Sequence, residues 1–379
     1  MQRAPILLAA SLLLIAGHQN PTGQPMIGSH DGGEHCSAIV LDNSGYGVFG
    51  ANYDQTRTDE GLIFVNKRGV VKSSLNTSTT RRRAHWTSRY ASVTFNLVGY
   101  QLAWAGMNER GLSMSTMSLD ETRYQQPDTR PPLDSGEWMQ YVLDTCETID
   151  DVLATDAVVR IYTVDHYLIS DRFGNAVVIE FLDGRMVAHN GPELPVSALT
   201  NSKYIDSCQT WESRRDYEDY ASLGGSLHRF CLAADRVDGF RQTSDAKAIA
   251  YAFDTLHEVR GQRFWVSPSQ WSIVFDSKNL RAYYRTLRNS NIRWVDLADF
   301  DLRCGAPAQM LAIHDGLSGD ISGNFFDFDF NLNYDHFENF LTDWGIGHTH
   351  QSVMATLNHF EEFSCVQSRR APSRRVVPQ

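Results

Sequence analysis

Cys36 heads the apolar run CSAIV, and Asp54 closes a second such run, VFGANYD, with the turn residues DNSGYG between them. A cysteine so placed has three uses: a buried structural thiol, half of a disulfide, or a nucleophile. A thiol nucleophile commonly hands its proton to a histidine, and the histidines here carry no recognisable signature for that work. His85, His189, His228 and His257 are scattered and read as structural or surface residues; His348 and His350 in GHTH have no nameable third metal ligand. Another chemistry needs no histidine. If processing makes Cys36 the first residue, its own α-amine stands beside its thiol, and an α-amine with a pKa near ~8 serves as general base near neutral pH. That arrangement asks for a carboxylate to hold the amine, donors for an oxyanion, and strands rigid enough to fix all three.

Strands are what the surrounding sequence offers. Apolar runs separated by Gly- and Asn-bearing turns read as hairpins of an antiparallel sheet: SAIVL with VFGAN, LIFV with VVKSS around NKRG, SVTFN with LAWAG around LVGYQ, then GLSMSTMSL. Residues 136–155 change to helical spacing. Trp138, Tyr141 and Val142 share one helix, and Thr148 with Asp151 forms a capping box for the next. Strands return with HYLIS, AVVIEF and RMVAH; a helix-rich stretch runs from about 203 to 259; QWSIVFD and LRAYYRT around SKN make a further hairpin. Beyond about 305 the chain mixes helix with aromatic-rich loop. Strands with segregated helices predict an α+β layered domain and not a βαβ sheet, and there is no G-x-G-x-x-G, P-loop or internal repeat.

Of the 379 residues, 42% are hydrophobic and 21% charged, the composition of an ordinary globular chain with a sizeable core. A net charge of -11 argues against broad nucleic-acid binding, which needs an excess of Lys and Arg; the basic run Arg81–Arg83 reads as a solvated loop. Arg3 followed by ILLAASLLLIA reads as a secretory signal over residues 1–17, too short for a membrane span. Residues 18–35, rich in Gly, Pro and His, read as a lead segment, residues 36–366 as one domain with a C-terminal helical extension from about 305, and residues 367–379 as a disordered tail. The expected location is the periplasm or the cell exterior, where disulfides persist. With Cys36 kept for chemistry, five of the six cysteines remain, enough for at most two internal bridges; no spacing fixes the pairs or matches a zinc ribbon.

Read in order, the motifs CSAIV, VFGANYD, GMNERGL, ALTNS, SLHRF and the hairpin WSIVFD with LRAYYRT resemble those of the choloylglycine hydrolase and penicillin V acylase family of linear amide C–N hydrolases, over roughly residues 36 to 290. These are N-terminal-nucleophile (Ntn) hydrolases. The resemblance implies a four-layer αββα sandwich of two antiparallel sheets flanked by helices. It implies amide hydrolysis through an acyl-thioester on Cys36, with a small-molecule N-acyl amide as partner and neither cofactor nor metal. Carried over by motif, Cys36 is the nucleophile and Asp54 the residue that binds its amine. Asn201 donates to the oxyanion, a backbone N–H near Ser118 is the second donor, and Arg229 sits by the nucleophile. Asn108 in GMNERG reads as a turn-former.

Two departures stand out. The family usually carries an arginine three residues before the aspartate, where this chain has Ala51. That removes a cation able to favour a thiolate or bind a substrate carboxylate, and it bears on bile-salt or penicillin preference. The lead before Cys36 is also long, so either late signal cleavage or self-cleavage at His35–Cys36 must expose the amine. On the sequence, a non-catalytic binder of the same fold, an acyltransferase and a conventional Cys–His protease stay open beside the hydrolase, as do homo-oligomerisation and the acyl and amine specificity.

Overall fold

The structure, a computed structural model, describes residues 36–42, 47–55, 60–75, 82–217, 220, 222–241, 244–260 and 268–366. The expected signal, lead segment, C-terminal tail and Arg81 lie outside these. Two large sheets form the body. The first has seven strands in the order Ala198–Leu199, Ser37–Asp42, Gly47–Asp54, Ser269–Asp276, Arg281–Thr286, Arg293–Asp296 and Gly319–Asp320, antiparallel except for the last pair. Gly47–Asp54 lies third in this order and is buried along its whole length. The second sheet has nine antiparallel strands: Arg185–Asn190, Ala176–Leu182, Asp165–Ser170, Ser113–Ser118, Ala105–Asn108, Ser92–Asn96, Leu62–Asn66, Gln309–Ala312 and Phe326–Asp327.

The sheets pack face to face. Phe95 of the second sheet lies 5.9 Å from Phe275 and 5.5 Å from Tyr284 of the first, ring centre to ring centre. Helices cover both outer faces. On the first sheet lie α3 (Tyr204–Arg214), α4 (Gly225–Asp238) and α5 (Asp245–Glu258); on the second lie α1 (Ser135–Thr145) and α2 (Ile149–Ala154). Trp138, Met139, Val142 and Leu143 of α1 bury themselves among Met114, Tyr167, Ile169 and Phe181. This is the four-layer αββα sandwich expected from the resemblance. One glycine lets a helix sit close: a Cβ at Gly106 would stand 2.7 Å from Leu143 of α1. Capping boxes start α1 (Asp134 with Glu137) and, as the sequence predicts, α2 (Thr148 with Asp151).

One predicted hairpin does not form. Leu62–Asn66 pairs with Ser92–Asn96 and Gln309–Ala312, while Val70–Ser73 joins His85–Thr87 and Ser364–Cys365 in a small separate sheet. The NKRG segment turns the chain out of the large sheet at Gly69, whose φ of +82° suits glycine. Lys72 then makes a buried ion pair with Asp144. The C-terminal region supplies Gln309–Ala312 to the second sheet before α6 (Phe330–Asp343) and α7 (His350–Glu361). A disulfide links Cys304 to Cys365, and Cys36, Cys146, Cys208 and Cys231 are buried outside that bridge. No helix among the described residues is long and apolar enough to cross a membrane.

Candidate active site

Cys36 stands at the mouth of strand Ser37–Asp42, fully buried. The pairing of Ser37 with Asn52 and of Ala38 with Ala51 runs its strand antiparallel to Gly47–Asp54, so Cys36 and Tyr53 follow on one shared face. Asp54 ends the second strand, buried, with Ser269 Oγ donating to its Oδ1 at 2.5 Å. Ala198–Leu199 pairs on the other side of Ser37–Asp42, with Leu199 opposite Ala38. That register carries the chain to Asn201 at the Cys36 end of the sheet.

Arg229, in the second turn of α4, ties these pieces together. Its Nε donates to Ser37 Oγ at 3.2 Å, and its Nη2 donates to the Cys36 carbonyl at 3.3 Å and to Asn201 Oδ1 at 2.8 Å. Burial pulls the Arg229 pKa down, and the charges of Asp54 and Cys36 oppose that shift. The Asn201 amide then turns its Nδ2 to Ser118, donating to the carbonyl at 3.1 Å and the hydroxyl at 3.2 Å. Cys36, Arg229, Asn201 and Ser118 thus form one hydrogen-bonded chain, with Asp54 acting on Arg229 electrostatically.

The backbone of Ser118 faces a defined direction. Leu119 N–H donates to Val164 on one side, whereas Thr116 N–H donates to Trp104 on the other. Alternation along a strand puts the Ser118 N–H on the Trp104 side, beyond the end of strand Ala105–Asn108. A small cleft on the Trp104 side is lined by Leu97, Val98, Leu102 and Trp104 together with the polar Thr116, Asp134, Ser135 and Thr163, and the proposed catalytic side chains lie outside its lining. Trp104 in turn packs on Tyr53 at 5.2 Å, the residue that shares its face with Cys36.

Ala51 occupies the position where the resemblance leads one to expect arginine, fully buried between Ala38 and Ile273. Asn108 is a turn residue: its Oδ1 accepts from the N–H groups of Arg110 and Leu112, and its Nδ2 donates to carbonyls at the end of α1.

The sequence reading passes over Glu180, His166 and Tyr204, which lie beside Asn201. Glu180 Oε1 accepts from the Tyr204 N–H at 2.9 Å, and its carboxylate is flanked by His166 Nδ1 at 3.3 Å and His189 Nε2 at 3.1 Å. Burial pushes the Glu180 pKa up, but the hydrogen bonds from both histidines and from Tyr204 outweigh it and hold the carboxyl at about 2. The available signal was a lone glutamate inside the apolar run AVVIEF, which ought to have a buried partner.

The two sheets, their helix layers and the placing of Cys36, Asp54, Asn201 and Arg229 at one end of the first sheet define an Ntn-hydrolase sandwich. The chain belongs to the linear amide C–N hydrolases of the choloylglycine hydrolase family, whose model matches residues 36–310. It is 27% identical to the penicillin V acylase of Pectobacterium atrosepticum, over 59% of this chain and 71% of that one. Its fold resembles penicillin V acylase from Agrobacterium tumefaciens (TM-score 0.66, 23% identity, 78% of this chain and 98% of that one). It also resembles a variant of conjugated bile acid hydrolase from Clostridium perfringens (TM-score 0.59, 18% identity, 75% and 98%). The protein is a hydrolase of carbon–nitrogen bonds in linear amides.

Proposed function

We propose that the protein is exported, that processing before Cys36 exposes its α-amine, and that the mature enzyme cleaves N-acyl amides of the penicillin V, conjugated bile acid or acyl-homoserine lactone type. The observation that carries this reading is the hydrogen-bonded chain from the Cys36 carbonyl through Arg229 and Asn201 to Ser118.

In the first half-reaction the Cys36 amine accepts the thiol proton, and sulfur attacks the amide carbonyl. The negative oxygen of the tetrahedral intermediate is held by Asn201 Nδ2 and the Ser118 N–H, the amide giving up its contact with the Ser118 hydroxyl to do so. The amine then passes its proton to the leaving nitrogen as the C–N bond breaks, giving an acyl-thioester. In the second half-reaction water attacks the thioester with the amine again as base, releasing the carboxylic acid and the thiol. Asp54 holds the amine as an ammonium between steps. Trp104, packed on Tyr53 next to the thiol, offers an apolar surface for an acyl group, and Ala51 leaves Arg229 to provide the positive charge beside the thiol.

The test is N-terminal sequencing and intact mass of the protein secreted by its natural route, followed by amide hydrolysis of those N-acyl substrates. A mature chain that starts at Cys36 and cleaves one of them supports the reading; an active protein that keeps its lead rules out the amine as base.

A further inference from the structure

A helix leaves its first N–H groups without partners inside the helix, and a side chain at the N-cap usually takes one. In α3 the N-cap is Lys203, which makes no side-chain cap. The acceptor comes instead from the other sheet: Glu180 Oε1 takes the N–H of Tyr204, the first residue of the helix. A carboxylate at a helix N-terminus is favourable, but this one has no exposed side-chain surface and needs further partners. His166, equally buried, and His189, 12% exposed, supply them.

The same tyrosine closes the loop at its other end. Its hydroxyl donates to the Val196 carbonyl at 2.8 Å and accepts from the Val196 N–H at 3.4 Å. Segment 196–204 is therefore pinned at both ends by one residue, and Asn201 stands inside it. Its flanks are held too, with Thr200 and Ser202 both bonded to Ser226 at the start of α4.

We propose that Glu180, clamped by His166 and His189, is the positioning residue for the Asn201 amide, setting through Tyr204 where that donor meets the oxyanion. This rests on the reading of Asn201 as an oxyanion donor. A carboxylate on the second sheet thereby aligns a donor whose orientation is otherwise set by Arg229 and Ser118.

The experiment compares Glu180→Ala, Glu180→Gln, Asn201→Ala and the double variant Glu180→Ala/Asn201→Ala by kcat and KM on one N-acyl substrate, corrected for the folded fraction. Misplacing a catalytic donor by about 1 Å lowers turnover up to ~10²-fold. Glu180→Ala should therefore lower kcat about tenfold to a hundredfold with KM little changed, and Glu180→Gln, which keeps an acceptor for the Tyr204 N–H, should restore most of it. In the Asn201→Ala background the loss of Glu180 should have no further effect on kcat. An equal fall in both backgrounds, or a loss of melting temperature with kcat per folded site unchanged, overturns the proposal. If Asn201→Ala alone leaves kcat intact, the donor reading falls and takes this one with it. Should Glu180→Ala fail to fold, His189→Leu removes one side of the clamp at a partly exposed position; it should lower kcat only when Asn201 is present, and an equal fall in both backgrounds is again the overturning result.

Discussion

Arg229 Nη2 lies 2.8 Å from Asn201 Oδ1, and this contact decides which end of the amide faces Ser118. With its oxygen held by a guanidinium, Asn201 can present only its NH2 to the site. Arg229→Lys keeps the charge and loses the fork that reaches Ser37, Cys36 and Asn201 together. It should lower kcat about tenfold or more, through misorientation of the donor, measured as kcat against KM on an N-acyl substrate. A variant with wild-type kcat would mean that charge alone matters.

Cys36→Ser should keep the fold, read by circular dichroism, and remove nearly all turnover, because a hydroxyl is far less readily ionised than a thiol. Asn201→Ala should lower kcat by about 10²–10³-fold, the usual effect of losing one oxyanion donor. Full activity in either would reject the assigned role.

Ser118→Ala separates the side chain from the backbone. It deletes the hydroxyl that accepts from Asn201 Nδ2 at 3.2 Å and leaves the N–H in place. If the N–H is the donor, kcat should shift by less than about fivefold, the scale of one neutral hydrogen bond of ~1 kcal/mol. A hundredfold loss would transfer the role to the hydroxyl.

Glu180 gives the fold a dependence on acid. Its carboxyl sits at about 2 in the folded protein, against ~4.3 for an unfolded chain. A depressed folded pKa stabilises the fold above ~4.3 and loses that contribution as pH falls toward about 2. Urea denaturation between pH 5 and pH 2 should show a steeper fall in wild type than in Glu180→Gln; parallel curves would remove the carboxylate from the account.

Burial holds the thiol of Cys146 up at about 12 and those of Cys208 and Cys231 at about 11. These are poor nucleophiles near neutral pH. Alkylation of the mature folded enzyme with iodoacetamide should add one label, at Cys36, with loss of activity. Peptide mapping that finds Cys208 or Cys231 labelled first would contradict this.

Much of the frame is legible in the sequence because its signals are local. Paired apolar runs about the turns DNSGYG and SKN give the hairpins around Cys36 and Trp271, and Thr148 and Asp151 announce their helix directly. The hairpin expected around NKRG fails because pairing is decided elsewhere: Leu62–Asn66 finds its partners at Ser92–Asn96 and Gln309–Ala312. Cys36, Asp54, Asn201 and Arg229 could be named from motif order, and the structure places them at one end of the first sheet. Glu180 stands out only as a lone glutamate in AVVIEF, and neither it nor His166 hints along the chain that its partner is the uncapped start of α3.

The hydrogen-bonded chain at the site spans both sheets. Cys36 belongs to the first, Ser118 to the second, and Asn201 is gripped by residues of each side. A partly folded chain that has built only its first sheet carries the thiol and Asn201 but lacks Ser118, which supplies the second donor and takes the Asn201 amide. On the proposed mechanism, the oxyanion pair is therefore completed only when the two halves dock: neither half alone presents both donors to the thiol.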